Sequence, residues 1–468
     1  MSKPNFVLLL TDDQGSWAVP WHMPELVMPN LEAMAAESIV FENYYCASPV
    51  CSPARGSLIT GRMPSAHGIH DWLIGGSHPG TYPDTYLEDI TTLPQVLNSA
   101  GYICGLSGKW HLGHSQKAAP GFDYWYAHRY GGGHYYDAPI WENGEESSQP
   151  GYYTDAVRDH ALEFLDSVDA SNSFFLFAAT TAPHHPWGQD EHPQELLGVY
   201  RNCDFPSVPR LPRHPWTQTR YDDFEDAFAN PEESLRGYCA SLTGVDRVLG
   251  SIREKLNDKG VADNTIIFYM ADNGFSCGHH GVWGKGNGTY PLNFWENSVR
   301  VPFVMYVPES LREQYLGTRQ PRMIDTHLSS ASFFEMVCEL ADIVPPTDPL
   351  RLPSFALAAA RGEDILPDSV VVYDEYGGGR MIRSERWKYV ARFQGPTELY
   401  DMKLDPDENN NLSGNPSYSG IQAQLAQTLE EWFCAHETPR HSAFEQPVTG
   451  YGQIHPTWRR DEPRRYEG

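Results

Sequence analysis

Positive charge is scarce in this sequence. Its 468 residues hold 34 Lys and Arg against 61 Asp and Glu, a formal net charge of −27. Nucleic acids and anionic membrane surfaces both call for a basic face, so neither is expected as a partner. A small anionic substrate is not excluded, but its pocket has to gather its own few Lys, Arg and His. Long apolar runs are lacking too. Phe6 to Leu10 is followed by Thr11 and two acids, too short for a signal-peptide core or a membrane span, and it reads as a buried strand. The expected compartment is the cytoplasm by default, or the periplasm or exterior if a leader was removed. Cysteine is sparse and forms no CxxC pair: Cys46, Cys51, Cys104, Cys203, Cys239, Cys277, Cys338 and Cys434. A disulfide framework is not expected, and most of these read as small buried hydrophobes.

What is present is a strand-helix rhythm. "FVLLLTDD" precedes a helical pattern in "MPNLEAMAAESIVF". "LPQVLNSAGYICGLSGKWHLG" reads as helix, turn and strand, "DAVRDHALEFLDSV" as an amphipathic helix, and "SFFLFAATTAPHHPW" as strand then polar loop. A strong helix over 234–257 leads into "NTIIFYMADNG", again strand then polar loop. The alternation predicts an α/β fold with a large, mainly parallel sheet flanked by helices. After about residue 365 the pattern changes to alternating strands around a Gly-rich turn, a helix near 420–435 and a Pro- and Arg-containing tail. We therefore expect a catalytic domain over 1–365 and a smaller C-terminal α+β subdomain, built on an antiparallel sheet, over 366–468. The stretch 214–233 reads as an irregular surface insertion.

In such a sheet the functional side chains belong at the carboxyl ends of the strands. Four apolar runs end at Asp12-Asp13, at Lys109 and His111, at His184, and at Asp272-Asn273, and these clusters are predicted to meet. Asp12, Asp13, Asp272 and Asn273 are hard oxygen donors suited to Ca²⁺ or Mg²⁺ rather than zinc. Lys109 and His111, two apart, point to one side if that segment is extended. Lys285 lies among glycines that let the backbone approach a ligand. His185, His279 and His280 carry no assigned chemistry. Cys51, in "CSPARGSLITG", is open to several readings: a nucleophile, a zinc ligand, half of a disulfide, or a modified residue. A nucleophilic thiolate needs a nearby base, and zinc needs partner ligands. Neither reading accounts for Pro53 and Arg55 at fixed spacing.

"CSPARGSLITG" resembles the signature of the type I sulfatases: Cys-x-Pro-x-Arg, two residues, two apolar residues, Thr and Gly. It matches through Cys51, Pro53, Arg55, Leu58, Ile59, Thr60 and Gly61. "GYICGLSGKWH" is similar to the family's second signature, with Cys104 where Ser or Thr is usual, and the likeness runs on through "TTAPHHPW", "ADNG", "GKGNGTY", "ENSVRVPF" and "ELYDMKLDPDENNNL". The resemblance implies the alkaline phosphatase superfamily fold and conversion of Cys51 to formylglycine, by a formylglycine-generating or an anaerobic sulfatase-maturating enzyme. Its hydrate is the nucleophile, and a second hydroxyl offers an exit that a plain thiol lacks. The resemblance also implies Ca²⁺ held by Asp12, Asp13, Asp272 and Asn273 with residue 51. Arg55 is implied to hold the formylglycine, Lys109 and His111 to orient its hydroxyls, and His184 and Lys285 to contact the sulfate, with His184 protonating the leaving oxygen. The base that expels sulfate is left open between Asp272 and a neighbouring His.

The expected substrate is a sulfate monoester on a sulfated carbohydrate, either a small molecule or an oligosaccharide. "YWYAHRYGGGHYYD" (124–137) reads as a loop whose rings and Arg suit a sugar, or equally as a loop packing on the surface. Arg380 is a candidate for the pocket mouth. The rival readings are a phosphonate monoester hydrolase on the same fold, a simple aryl or alkyl sulfatase, and an inactive sulfate-sugar-binding module.

Overall fold

The structure, a computed structural model, describes residues 3–73, 85–142, 144–217, 222–317, 322–364, 366–374, 378–392 and 395–442. A ten-stranded sheet forms its centre. Its strands in chain order are β1 (Asn5–Thr11), β2 (Ile39–Phe41), β3 (Ile103–Gly108), β4 (Tyr124–His128), β5 (Ala138–Glu142), β6 (Glu145–Gln149), β7 (Phe174–Ala179), β8 (Thr265–Ala271), β9 (Phe303–Tyr306) and β10 (Arg322–Ile324). Across the sheet they lie in the order β10-β2-β9-β8-β1-β7-β3-β4-β5-β6. The run β8-β1-β7-β3-β4 is parallel throughout. β9 and β5 are antiparallel to both of their neighbours. The sheet is thus mixed and mainly parallel, as the strand-helix rhythm predicts.

The central strands are apolar at nearly every position because both faces are covered. Along β1, Phe6, Leu8 and Leu10 enter one core while Val7 and Leu9 enter the other. The first core takes Leu93, Val96 and Leu97 from helix Leu93–Ser99 and Phe333 to Leu340 from another helix. The second takes Ala161, Phe164 and Leu165 from helix Tyr153–Ser167, and Leu235, Leu242, Val245 and Leu249 from helix Pro231–Asp258. The long helix begins at Pro231, where a missing backbone N–H costs nothing. Its early start corrects the reading of 214–233 as irregular, since Asp222–Ala229 is helical as well; residues 218–221 lie outside the described residues.

The C-terminal sheet is an antiparallel meander of β11 (Ser369–Asp374), β12 (Gly379–Ser384), β13 (Trp387–Arg392) and β14 (Glu398–Asp401). Helix Ser419–Ala435 covers it with Leu429 and Phe433, which share a core with Tyr373, Ile382 and Tyr389. Ala47 and Met63 join that core from the larger part, and Tyr373 donates its N–H to Ala47 O at 3.2 Å. Arg380 is not at a pocket mouth. It is buried on β12, its guanidinium 3.2 Å from the Phe433 ring centroid and 3.2 Å from Glu430 Oε2. The turn at 375–377 and the tail beyond 442 lie outside the described residues. Among the described residues no helix is long and apolar enough to cross a membrane.

Candidate active site

The carboxyl ends of β8, β1, β7 and β3, neighbours in the sheet, carry the predicted polar clusters. Asp12 and Asp13 follow β1, Asp272 and Asn273 follow β8, Lys109 follows β3, and His184 follows β7 after a short loop. Backbone bonds lock these ends in register: Asp12 N donates to Ala182 O, Asp272 N to Thr11 O, and Lys109 N to Ala179 O at 2.7 Å. Asp13 sits in the left-handed region at φ 65, which turns its carboxylate back across the strand ends.

Above them lies helix Cys51–Thr60, buried along its whole length. Cys51 is its first residue and Pro53 occupies its first turn, where no intrahelical N–H bond is required. Gly61 ends it at φ 73, donating to Ser57 O at 2.9 Å. A Cβ there would lie 2.3 Å from Arg351 Cγ, so the glycine closing the motif is required by both conformation and space. The helix therefore delivers Cys51 and, one turn later, Arg55 to the strand ends.

Three carboxylates and three cations interlock there. Lys109 Nζ is 2.5 Å from Asp12 Oδ2, Lys285 Nζ 2.5 Å from Asp13 Oδ1, and Arg55 Nε 2.7 Å from Asp272 Oδ2. Arg55 also donates from Nη1 to Lys109 O at 2.8 Å. Cys51 Sγ lies 3.2 Å from Asp12 Oδ1 and 2.7 Å from Lys285 Nζ. Asn273 Nδ2 donates to Asp13 Oδ1 at 2.7 Å, and His184 Nε2 is 3.8 Å from Asp13 Oδ2. His111 joins through its Nε2, 2.8 Å from Leu73 O, with a left-handed φ of 58. The segment from Lys109 to His111 is thus not extended, and strand alternation does not explain how the two share the site.

Ionisation follows from this packing. Burial works to raise the Asp12 carboxyl, but Lys109, His184, Lys285 and Arg55 hold it well below the usual range. Asp272 is pushed up to about 6 by burial and by the Asp12 charge. Burial, assisted by Asp12, pushes the Cys51 thiol up, so it stays protonated near neutrality. A resting thiolate nucleophile is therefore disfavoured. Burial lowers His111 strongly, helped by Lys109 and Arg55, and makes it a neutral imidazole. His184 is lowered by burial, with Asp12 and Asp13 opposing.

The donor set fits a divalent cation. One ligand atom from each of Asp12, Asp13, Cys51 and Asp272 lies within 4.8 Å of every other, and all four residues are buried. Asn273 Oδ1 is buried with no hydrogen-bond partner among the described residues. An orphaned amide oxygen beside three crowded carboxylates is what a hard, oxygen-seeking ion satisfies. Arg55 Nη2 and His111 Nδ1 are likewise buried without partners among the described residues.

Two features escaped the sequence reading. Residues 124–137 are not one loop: Tyr124–His128 is strand β4. The glycines after it press on the site, since a Cβ on Gly131 would lie 2.1 Å from His111 Cε1 and one on Gly132 2.8 Å from His184 Nδ1. The other is Tyr135, whose hydroxyl donates to His184 O at 2.7 Å. The run of three glycines in "RYGGGH" was the available signal. His279 and His280 pack on Trp17 and Trp295, and His185 on Trp187 and Phe224.

A metal-suited carboxylate cluster, interlocked with three buried cations and facing a cysteine at a helix N-terminus, suits the hydrolysis of an anionic ester. The particular family follows from comparison: the Sulfatase family model matches residues 4–343, and the chain belongs to that family. It is a sulfatase. The N-acetylglucosamine-6-O-sulfatase of Bacteroides thetaiotaomicron is 25% identical over 92% of this chain and 86% of its own length. Human N-acetylgalactosamine-6-sulfatase is 28% identical over 88% of this chain and 76% of its own. A solved structure in complex with its substrate D-glucosamine-2-N,6-O-disulfate superposes with a TM-score of 0.77 at 24% identity, covering 93% of this chain and 98% of that one. That likeness establishes the alkaline phosphatase-like sulfatase fold.

Proposed function

We propose that the protein hydrolyses sulfate monoesters on a carbohydrate, with formylglycine made from Cys51 and Ca²⁺ held by Asp12, Asp13, Asp272, Asn273 and residue 51. The observation that carries this reading is the convergence of Cys51 Sγ with three carboxylates beside the unpartnered Asn273 Oδ1. Formylglycine supplies a hydrated aldehyde as nucleophile, and Ca²⁺ supplies fixed positive charge toward the sulfuryl oxygens.

The chain's own residues do the rest. Lys109 and Lys285, buried cations, stand ready to neutralise sulfate oxygens once the metal takes over the charge of the aspartates, and such preorganised charge is the main source of rate. The two histidines differ in which nitrogen is free. His111 Nε2–H donates to Leu73 O, which leaves Nδ1 as a lone pair able to accept a hydroxyl proton at residue 51. In His184 the Nδ1–H donates to His185 O at 2.7 Å, and Nε2 faces the aspartates. His184 protonates the leaving oxygen from Nε2 when charged, and Tyr135 holds its backbone in place. This favours His111, over Asp272, as the base toward residue 51. Arg55 anchors the arrangement through Asp272 and Lys109 O. The carbohydrate assignment is supported by the sugar sulfates on which the named relatives act.

The maturation partner is a formylglycine-generating or anaerobic sulfatase-maturating enzyme. Peptide mass spectrometry tests the modification: the Cys51 peptide should be lighter than the thiol form by about 18 Da, the difference between thiol and aldehyde. Activity should be highest on sulfated sugars, lower on 4-nitrophenyl sulfate, and lowest on phenylphosphonate esters. An active preparation with an unmodified thiol, or a preference for phosphonates, overturns the reading.

A further inference from the structure

Helix Cys51–Thr60 carries two serines that hold the chain returning from it, and one of them reaches the reaction centre through a single residue. Ser57 Oγ takes the Nε2–H of His67 at 3.0 Å, while His67 Nδ1 accepts from Ile69 N at 3.1 Å. A Cβ on Gly56 would lie 2.9 Å from His67 Cε1, so this part of the return lies flat against the helix. Ser52 directly follows Cys51 and is wholly buried, and its Oγ accepts from Leu73 N at 3.0 Å. The carbonyl of that same Leu73 takes the Nε2–H of His111 at 2.8 Å. The Leu73 side chain is anchored in the first core. On another side of the imidazole Gly131 stands close, for a Cβ there would lie 2.1 Å from His111 Cε1. His111 Nδ1 is buried with no hydrogen-bond partner among the described residues.

A carbonyl oxygen only accepts, so its bond to Nε2 puts the ring proton there and leaves Nδ1 as the lone pair. The partner of one imidazole nitrogen sets what the other can do, and the wrong tautomer disables a catalytic histidine whose position is unchanged. Here that partner is a backbone carbonyl, and its place depends on what holds Leu73. We propose that Ser52 is a positioning residue for the base. Its hydroxyl fixes Leu73, whose carbonyl keeps His111 in the Nε2–H tautomer, with Nδ1 free for the hydroxyl proton of residue 51. Nucleophile and base are thereby set by adjacent residues of one buried helix. This rests on the formylglycine reading of the same site, since a thiol offers no such hydroxyl.

The test is nitrogen NMR of the full-length, calcium-loaded enzyme, isotope-labelled at its histidines, because protonated and lone-pair ring nitrogens resonate far apart. The signals of His111 are those lost in His111→Gln. Wild type should show a proton on Nε2 and a bare Nδ1. Ser52→Ala should give a mixture of the two tautomers, and Ser52→Thr, which keeps the hydroxyl, should restore the wild-type pattern. Ser57→Ala removes the other serine contact of the same helix and should leave the His111 signals unchanged. With formylglycine counted by peptide mass, kcat per modified site should fall roughly 10²-fold in Ser52→Ala, the low end of what general acid–base catalysis supplies, and recover in Ser52→Thr. A proton on Nδ1 in the wild type, or an unaltered tautomer in Ser52→Ala, overturns the proposal. So does an equal change in Ser57→Ala, which marks a general loosening of the helix. Should Ser52→Ala fail to fold, Ser52→Cys nearly keeps the volume, offers only a weak acceptor and carries the same expectation. Failure of the formylglycine reading shows separately, as an active enzyme whose residue 51 peptide has the thiol mass, and it removes the proposal as well.

Discussion

The protein buries two clusters of charge that use the same ingredients to opposite ends. At the strand ends, Asp12, Asp13 and Asp272 face Lys109, Lys285 and Arg55, yet Asn273 Oδ1, Arg55 Nη2 and His111 Nδ1 remain without partners among the described residues. Where the C-terminal sheet meets the larger part, Lys388 of β13 bridges two acids. Its Nζ is 3.1 Å from Glu296 Oε1 and 2.6 Å from Glu408 Oε1. Tyr45 OH donates to Glu296 Oε2 at 2.9 Å, and Glu296 N donates to Glu408 Oε2 at 2.7 Å. The second cluster ties three distant stretches of chain together through direct contacts. The first gathers three carboxylates and Cys51 around one spot, with Asn273 Oδ1 unpartnered beside them among the described residues. Neither buried charge nor an orphaned atom alone marks a catalytic site, since Arg383 Nε and Arg300 Nε beside Glu296 are also buried without a hydrogen-bond partner among the described residues; what sets the strand ends apart is that ligand atoms of three carboxylates and Cys51 lie within 4.8 Å of one another.

The sharpest way to break that contrast is Cys51→Ala. Sulfate release should fall by on the order of 10⁴-fold, as for loss of a covalent nucleophile, with the thermal midpoint nearly unchanged. Residual activity near wild type would remove the strand-end cluster from catalysis. Next comes metal removal. Treatment with a calcium chelator should lower activity by roughly 10³-fold, and saturating Ca²⁺ should restore it and raise the melting midpoint by a few degrees. Asp272→Asn should abolish that rise, whereas a variant of the second cluster should retain it.

The remaining two predictions concern stability. Lys388→Met leaves buried Glu408 without its cation and Glu296 with only the more distant Arg300 and Arg383, and should cost about 3 kcal/mol in urea unfolding. A loss below about 1 kcal/mol would show that the second cluster does not hold the C-terminal sheet in place. The smallest effect is expected from pH. Burial and the neighbouring Glu296 push the Glu408 carboxyl up to about 7. The folded state therefore binds this proton more tightly than the unfolded chain. The resulting stability is complete below the unfolded value near 4.5 and is lost as pH rises through about 7. In Glu408→Gln the fall in melting midpoint between pH 5 and 7.5 should be shallower by about 2 °C. An identical slope in the two proteins would mean that Glu408 does not titrate there.

The same contrast shows what could be read before folding. Asp12-Asp13 and Asp272-Asn273 were legible because each closes an uninterrupted apolar run, and parallel topology sends such ends to one edge. Lys109, His111 and His184 were legible on the same ground. The Glu296, Lys388 and Glu408 cluster left no trace, since each residue looks like a solvated surface charge in its own stretch of sequence. Arg380 was misread for a related reason: a Gly-flanked Arg suggests an exposed loop, yet β12 turns it onto Phe433. The first half of 124–137 was misread because an aromatic-rich strand and an aromatic-rich loop share one composition.

The sequence alone determined the strand ends, the signature helix and the likeness to a family, because apolar period, proline and glycine placement are local in origin. Only the tertiary structure decided which charges are spent and which wait. It showed Asn273 Oδ1 left over, Lys285 resting on Cys51, and Gly131 and Gly132 pressed against the two histidines. Those facts depend on separations of a few ångströms between residues up to hundreds of positions apart. A linear pattern can indicate that groups will meet, but satisfaction of a hydrogen bond is a property of three-dimensional distance.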